Sequence, residues 1–129
     1  MQAPQPELFG TVHNPVLPIW DGPGKVNAEL LAKLLNFTKR EVATAARVTQ
    51  DSFSYKHPLP KEVEERLLEW AMLLELVAKF FDGDITKTVL WFKLPNPLLG
   101  EIRPRDMIRF GRARKLARIV DNALAGHVP

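Results

Sequence analysis

The chain has 129 residues, of which 46% are hydrophobic and 26% charged, and its formal net charge is +3. This composition is typical of a globular protein and leaves room for one ordinary domain or two very small helical ones. There is no cysteine, which excludes disulfides, thiolate nucleophiles and cysteine-based zinc sites and fits a reducing cytoplasm.

No segment of the sequence predicts export or membrane insertion. The first ten residues lack a basic region followed by an apolar run, so we expect no secretory signal. The longest apolar stretch, residues 70–81, contains Glu75 and Lys79 and is too short and too charged to cross a bilayer. We therefore expect a cytoplasmic protein with no membrane partner.

Residues 1–25 are rich in proline and glycine and show no sustained hydrophobic periodicity. A segment without a repeating apolar face cannot build a helix or strand that packs on a core, so the sequence predicts a flexible proline-rich arm. Within it, only Ile19 and Trp20 are expected to touch the body of the protein.

Residues 26–58 predict a helix-turn-helix domain, beginning with two short helices. The first opens at Asn27 and ends near Asn36. Thr38 and Glu41 form a capping box that starts the second helix, because the Thr38 hydroxyl can accept from the amide of Glu41 while the Glu41 carboxylate accepts from the amide of Thr38.

A tight turn at Arg47 and Val48 leads to Thr49, a natural N-cap residue for a third short helix, Gln50 to Tyr55. The small side chain of Ala43 lets the second and third helices approach closely, as a helix-turn-helix requires. Arg47 stands where such turns usually carry glycine, and a left-handed backbone there would cost about 1 kcal/mol.

The start of the second helix and the predicted third helix carry side chains suited to DNA. Glutamine can form a bidentate pair with adenine, and lysine, arginine, serine and threonine can bind phosphate or base edges. The candidate DNA-binding residues are Lys39, Arg40, Thr49, Gln50, Asp51, Ser54, Tyr55 and Lys56. Asp51 would repel phosphate unless it reads a cytosine amino group, so a three-helix scaffold that does not bind DNA remains the alternative.

Residues 59–129 predict a helical strut and further short helices. The longest helix, 61–81, carries two rows of apolar residues, which predicts either a central strut or part of a dimer interface. Gly83 is suited to the left-handed position after its end. Shorter helices are predicted at about Ile85–Lys93, from Pro104 through Ile108, and over Arg112–Leu124, the last ended by Gly126. No segment carries a strand signal strong enough to change the helical prediction. The predicted fold class is therefore all-α, with an N-terminal helix-turn-helix bundle followed by a small helical domain.

Residues typical of catalytic and metal sites are scattered or missing. The three histidines are far apart in the sequence: His13 lies in the proline-rich arm, His57 just before the longest helix and His127 near the C-terminal end. None has a partner at metal-ligand spacing. Asp82 and Asp84 lack the rest of a calcium-loop pattern. There is no glycine-rich phosphate loop and no nucleophile-elbow serine. We expect no catalytic residue, no metal and no cofactor, and hence a protein that is not an enzyme.

The segment with the most distinctive motif is the loop Pro95-Asn96-Pro97-Leu98-Leu99-Gly100, followed by Pro104 and Asp106-Met107-Ile108-Arg109. It resembles the toxin-binding domain of the Xre/MbcA/ParS antitoxins, which carries a Pro-Asn-x-x-Leu-Gly loop and a Pro-x-x-Leu-Leu helix start. The resemblance covers roughly residues 27–126, because a helix-turn-helix precedes this domain in that family too. The chain departs from the pattern at Glu101, Arg103 and Phe110, where a glycine, a capping serine or threonine, and a threonine are usual.

The resemblance implies a protein partner and a function. It implies a type II antitoxin that covers the active-site cleft of a RES-type, NAD-degrading toxin. From the predicted helix-turn-helix we further expect it to bind its own operator, and from the two apolar rows of the 61–81 helix we expect homodimerisation that supplies two DNA-reading helices. The candidate toxin-binding residues are Pro95, Asn96, Pro97, Gly100, Arg105, Arg109, Arg112, Arg114, Arg118, Gly126 and His127. For the apolar residues of this region, a place in the core is the better interpretation.

Two other functions remain open. One is a stand-alone helix-turn-helix transcription regulator whose C-terminal half dimerises or senses a ligand. The other is an interaction adaptor that keeps a relic helix-turn-helix. A RES-type enzyme in the neighbouring reading frame would favour the antitoxin over both.

Overall fold

The computed structural model describes residues 14–126, and this part of the chain is mostly helical. Its elements in chain order are the strands β1 (Trp20–Gly22) and β2 (Lys25–Val26) and the helices α1 (Ala28–Leu34), α2 (Lys39–Ala46), α3 (Lys61–Ala78), α4 (Ile85–Lys93), α5 (Pro104–Arg109) and α6 (Ala113–Leu124). Three 3₁₀ turns join them, at Gln50–Ser52, Lys79–Phe81 and Pro97–Leu99. The predicted predominance of helix is confirmed.

Helix α3 is the centre of the fold. It packs against α1, α2, α4 and α6, and Leu67, Trp70 and Leu74 are at most 1% exposed. A single hydrophobic core contains these residues together with residues from both ends of the described chain, from Leu17 to Val120. Because the chain's own helices cover most of its apolar rows, α3 is the central strut of the described chain.

The helix starts follow the local signals. The Asn27 side chain accepts from the amide of Leu30 at 3.1 Å, and the capping box at Thr38 and Glu41 is complete, with both hydrogen bonds present. Arg47 ends α2 in the left-handed conformation, at φ 60°. The predicted backbone cost at this turn therefore applies.

The third helix predicted for the helix-turn-helix does not form. Only one 3₁₀ turn, Gln50–Ser52, is present, and Thr49 makes no side-chain capping hydrogen bond. Instead, the hydroxyl of Ser52 donates to the Thr49 carbonyl at 2.7 Å, a local bond that competes with continuation of a helix. Phe53 then adopts an extended backbone and is buried. The prediction of a helix over residues 50–55 is wrong, and the three-helix arrangement is incomplete.

The segment before α1 contains a short antiparallel hairpin that sequence periodicity did not indicate. Strand β1 pairs with β2, and the two strands are too short to show an alternating pattern. Leu17 and Ile19 are buried, and the Glu75 carboxylate on α3 accepts from the amide of Val16 at 2.8 Å and from the indole of Trp20 at 2.7 Å. Residues 16–26 therefore differ from the predicted flexible arm; residues 1–13 lie outside the described part of the chain.

The C-terminal helices agree with the sequence to within one residue at each end. Local signals explain this: Asp84 caps α4 by accepting from the amide of Lys87 at 3.0 Å, and Pro104 occupies the first turn of α5. The turn between α3 and α4 uses two left-handed residues, Asp82 at φ 52° and Gly83 at φ 81°. Arg103 precedes α5 without a side-chain capping bond, as its departure from the family pattern predicts.

Candidate functional site

The loop between α4 and α5, residues 94–103, is closed by its own hydrogen bonds. The Asn96 side chain accepts from the amide of Leu98 at 2.9 Å. The Asn96 amide donates to the Ile102 carbonyl at 3.1 Å, and the amide of Glu101 donates to the Asn96 carbonyl at 2.9 Å. Gly100 and Glu101 are both left-handed, at φ 67° and 68°. The loop is therefore preorganised, and binding through it needs little additional ordering.

This loop and the end of α5 expose large apolar side chains. Leu94, Ile102 and Phe110 are 50%, 45% and 66% exposed, and Leu98 is 54% exposed. We call residues 94–110 the loop–α5 surface. Of these side chains, Ile102 and Phe110 line one cavity, and exposed apolar side chains grouped beside polar ones are typical of protein interaction sites. Sequence reading placed apolar residues of this region in the core and treated Phe110 only as a departure from a pattern.

A shallow cavity of about 370 Å³ opens in the loop–α5 surface. Its lining residues are Pro95, Glu101, Ile102, Arg103, Asp106, Met107, Phe110 and Arg112. The floor is apolar and the rim carries charges of both signs. A partner side chain could bury apolar surface here while its polar neighbours meet the rim.

The carboxylate of Asp106 orders the arginines around this cavity. It accepts from Arg103 Nε at 2.9 Å, from Arg105 at 3.1 Å and from Arg109 Nε at 3.3 Å. The Arg109 guanidinium also pairs with Glu41 at 3.5 Å and lies 4.5 Å from the centre of the Phe110 ring. Arg109, predicted to bind a partner, thus lies over the Phe110 ring and keeps a partly exposed charge beside it.

Arg105, also predicted to bind a partner, is turned into the protein. It is only 8% exposed, and its guanidinium donates to the Leu35 carbonyl at 2.7 Å and to the Asn36 carbonyl at 3.0 Å. It also stacks over the Phe37 ring at 5.0 Å. These carbonyls follow the end of α1, where the helix leaves acceptors unsatisfied. Arg105 therefore joins α5 to the α1–α2 corner and presents no free donor fork to a partner.

The predicted basic residues of α6 border a second cleft, of about 600 Å³, between α2, α3 and α6. Arg114 pairs with Glu69 at 3.0 Å, and Glu69 also pairs with Arg66 at 3.3 Å. Within residues 14–126, Arg112 and Arg118 form no ion pair and are exposed. They remain available to an acidic partner, and Arg112 also lines the cavity beside Phe110.

The other predicted toxin-binding residues fall in different places. Pro95 lines the cavity and Asn96 shapes the loop, where Pro97 begins a 3₁₀ turn and Gly100 ends it. Gly126 follows α6 in a left-handed conformation, at φ 83°. His127 lies outside the described residues. The structure therefore brings Pro95, Arg109 and Arg112 together around Phe110, and it separates them from Arg105.

The predicted DNA-binding residues lie on α2 and on the following turn, without a helix to present them together. Arg40, Thr49, Gln50, Asp51 and Lys56 are exposed. The ammonium of Lys39 lies 5.0 Å over the Phe53 ring, and the Ser54 hydroxyl accepts from the Lys56 amide. Tyr55 packs edge-on against Phe53 at 5.6 Å.

The hydroxyl of Tyr55 is buried and has no hydrogen-bond partner in the described structure. Burial, together with the nearby negative charge of Glu29, raises the pKa of Tyr55. A side chain in this position is packed against the protein rather than directed outward, so Tyr55 does not fit its predicted role in DNA contact.

A third concave region is an apolar groove of about 300 Å³ beside α6. Its lining residues are Phe80, Phe81, Trp91, Asn96, Leu98, Leu99, Leu116, Ile119, Val120 and Ala123. We call it the α6 groove. Phe80 and Leu98 at its edge are 48% and 54% exposed. Sequence reading missed this groove, because its walls come from four separate segments.

Two negative findings concern residues 14–126. No cluster of three or more histidine and carboxylate side chains in this range could hold a metal ion. None of the helices described there has the length and apolar character needed to cross a membrane.

Comparison with known proteins gives one structural likeness. No protein-family model and no curated protein sequence matches this chain. A chain in the crystal structure of the M. tuberculosis MbcT–MbcA toxin–antitoxin complex is similar, with a TM-score of 0.52 and 21% sequence identity, over 78% of this chain and 92% of that chain. At this identity the likeness shows a shared fold.

Proposed function

We propose that this protein is an antitoxin that neutralises a partner toxin through the loop–α5 surface. The observation that carries the proposal is Phe110, a large aromatic side chain 66% exposed at the edge of an apolar cavity. Aromatic side chains seated centrally in an interface are typical hot spots of protein binding. The loop before it carries the Pro95–Gly100 motif that resembles the toxin-binding domain of Xre/MbcA/ParS antitoxins.

The proposed partner is a RES-type, NAD-degrading toxin whose active-site cleft is occluded. The sequence resemblance supports the toxin class, and the shared fold with a chain from a toxin–antitoxin complex supports a toxin partner in general. The exposed Arg112 and Arg118 would attract an acidic toxin surface, which raises the association rate more than the affinity. The protein itself is proposed to have no catalytic activity.

Substitution of Phe110 tests this proposal. We expect Phe110→Ala to weaken toxin binding about 30-fold, which corresponds to about 2 kcal/mol, and to abolish growth rescue at low antitoxin expression. Isothermal titration calorimetry with a purified RES-type toxin, taken from the neighbouring reading frame where one is encoded there, measures the effect. A point substitution is preferable to truncation before α5, because α6 covers part of α3 and its removal would unfold the core.

Phe80→Ala is the matched control, since Phe80 is also a half-exposed aromatic residue but lies in the α6 groove. We expect its toxin affinity to equal that of the unchanged protein within a factor of two or three. If Phe80→Ala weakens binding more than Phe110→Ala does, the toxin docks on the α6 groove and the assignment to the loop–α5 surface is wrong.

We also propose operator binding by a homodimer as the second activity, with contacts from the exposed residues Arg40, Thr49, Gln50 and Lys56. Without a complete third helix, phosphate contacts should contribute more than base contacts. We therefore expect the DNA-binding constant to fall steeply as the salt concentration rises. For Arg40→Ala, the slope of the logarithm of the binding constant against the logarithm of salt concentration should become shallower by about 1. Fluorescence anisotropy with the promoter duplex and a scrambled duplex measures both. Specific promoter binding without any toxin partner would instead favour the stand-alone regulator.

A further inference from the structure

The cleft between α2, α3 and α6 presents charges of opposite sign on two of its walls. The α3 wall carries Glu62 and Glu65, which we call the acidic pair, and the α6 wall carries Lys115 and Arg118, which we call the basic pair. All four residues are exposed, and within residues 14–126 none of them forms an ion pair. Both pairs are therefore available to a second molecule.

The third carboxylate of the cleft is already bound inside the chain. Glu69 accepts from Arg114 at 3.0 Å and pairs with Arg66 at 3.3 Å. Arg114 belongs to α6 and Glu69 to α3, and the two helices also pack directly on each other. The two charged walls are thus held in a fixed relation, so a partner can bind them with little ordering cost.

The acidic pair and the basic pair have the same spacing. Glu62 and Glu65 are three residues apart on α3, and Lys115 and Arg118 are three residues apart on α6. Residues at this spacing lie on one face of a helix, about 4.5 Å apart along its axis. The acidic pair of one chain therefore matches the basic pair of another in both charge and separation.

A second copy of the chain satisfies both walls of the cleft at once. In a two-fold dimer the α3 wall of each chain meets the α6 wall of the other, so each contact between a carboxylate and a cation forms twice. A purely acidic protein segment or a phosphate backbone would neutralise the basic pair but would place like charges against the acidic pair. The charge of the cleft therefore favours a second copy over either alternative.

We propose that two copies of this chain dimerise through the cleft, with the acidic pair of each protomer bound to the basic pair of the other. This interface gives a contact surface to the homodimer proposed above for operator binding, and it rests on that proposal only for the use of the dimer, because self-association requires neither DNA nor a toxin. Arg112, which lines both the cleft and the cavity beside Phe110, lies outside the two pairs and stays free for a toxin.

Charge reversal followed by mixing tests this pairing. One variant reverses the acidic pair, as Glu62→Arg with Glu65→Arg. The other reverses the basic pair, as Lys115→Glu with Arg118→Glu. We expect the unchanged protein to dimerise and each variant alone to have a dimer dissociation constant at least about tenfold higher, because like charges then meet in its homodimer.

An equimolar mixture of the two variants should restore the dimer. In the heterodimer, the reversed acidic pair of one chain meets the reversed basic pair of the other, and the two unchanged pairs also meet, so every contact again joins opposite charges. Sedimentation equilibrium measures the dissociation constants. Native mass spectrometry identifies the heterodimer, because the two variants differ in mass.

Matched controls reverse the same number of charges outside the cleft. Glu29→Arg with Glu64→Arg changes two exposed carboxylates, the second of them on another face of α3. Lys25→Glu with Lys87→Glu changes two exposed cations. Charges that do not meet across the interface are screened by salt, so both control variants should dimerise within about a factor of three of the unchanged protein.

The outcomes separate this interface from other uses of the cleft. A monomeric unchanged protein would overturn the proposal, and weaker toxin or DNA binding by the variant of the basic pair would then assign the cleft to that partner. A dimer that tolerates both reversals has its interface elsewhere. A mixture that stays monomeric would show that the two pairs do not meet.

Circular dichroism shows whether each variant is folded. If a double reversal unfolds the chain, the single reversals Glu65→Arg and Arg118→Glu are mixed in the same way, with the same expected rescue. None of these results bears on toxin binding through Phe110, and operator binding is measured separately with the promoter duplex.

Discussion

Two corners of this protein each connect a pair of helices, but one corner buries its apolar side chains and the other exposes them to solvent. The corner between α2 and α3, residues 47–60, buries Phe53 and the hydroxyl of Tyr55. The corner between α4 and α5, residues 94–103, instead exposes Leu94, Leu98 and Ile102 to solvent. The first corner uses its apolar residues for the protein's own stability. The second keeps a folded loop with apolar residues outside, as expected of a surface that serves a partner.

The largest difference between the corners should appear when one apolar residue is truncated in each. Phe53→Ala should lower the free energy of unfolding by about 3 kcal/mol, because it removes a buried aromatic ring and leaves a cavity. Leu98→Ala should change it by less than about 0.5 kcal/mol, because an exposed side chain gains little from folding. Urea unfolding measures both. Similar losses for the two variants would mean that the loop is an ordinary part of the core.

Arg105 tests how much the second corner depends on the rest of the protein. Its guanidinium bonds join α5, the helix after that corner, to the carbonyls between α1 and α2. Arg105→Ala should cost about 3 kcal/mol, since it leaves the Leu35 and Asn36 carbonyls without a buried donor. Arg105→Lys should recover part of this, because one ammonium cannot reproduce both guanidinium bonds. Thermal unfolding without a partner measures the loss. A protein of unchanged stability that binds toxin more weakly would show that Arg105 acts in the interface.

The smallest effects concern the left-handed residues at the two corners. Arg47 and Glu101 have φ values of 60° and 68°. Replacing either with glycine should stabilise the protein by about 0.5 kcal/mol, because the relief of left-handed strain exceeds the added entropy of the unfolded chain. Asn36→Gly should gain less, since asparagine tolerates this conformation. Calorimetric melting temperatures measure the three variants. A loss at Glu101 alone would indicate that its side chain supports the loop.

Local signals made most of the helices predictable. The 3.6-residue periodicity of α3, the capping box at Thr38, Asp84 before α4 and Pro104 at the start of α5 act within one or two turns of the chain. The loop at Pro95–Gly100 was recognised through its resemblance to the Pro-Asn-x-x-Leu-Gly motif, and the structure shows that Asn96 closes it through bonds to its near neighbours. Part of the candidate site could therefore be located from sequence alone.

Side-chain direction within the candidate site could not be predicted in this way. Arg105 and Arg109 are four residues apart on one basic helix, yet the first is buried against α1 and the second is partly exposed beside Phe110. Their difference depends on which carbonyls and carboxylates lie opposite, and these come from residues about 70 positions away. A pattern of charges along one helix contains no such information.

The sequence by itself determined the helical elements, their caps and the closed loop before α5, because each depends on bonds between residues close in the chain. Only the tertiary structure decided the burial of Glu75 under residues 16–20 and the inward direction of Arg105. Each of these depends on hydrogen bonds between segments that are distant in the chain, and no local pattern contains that information.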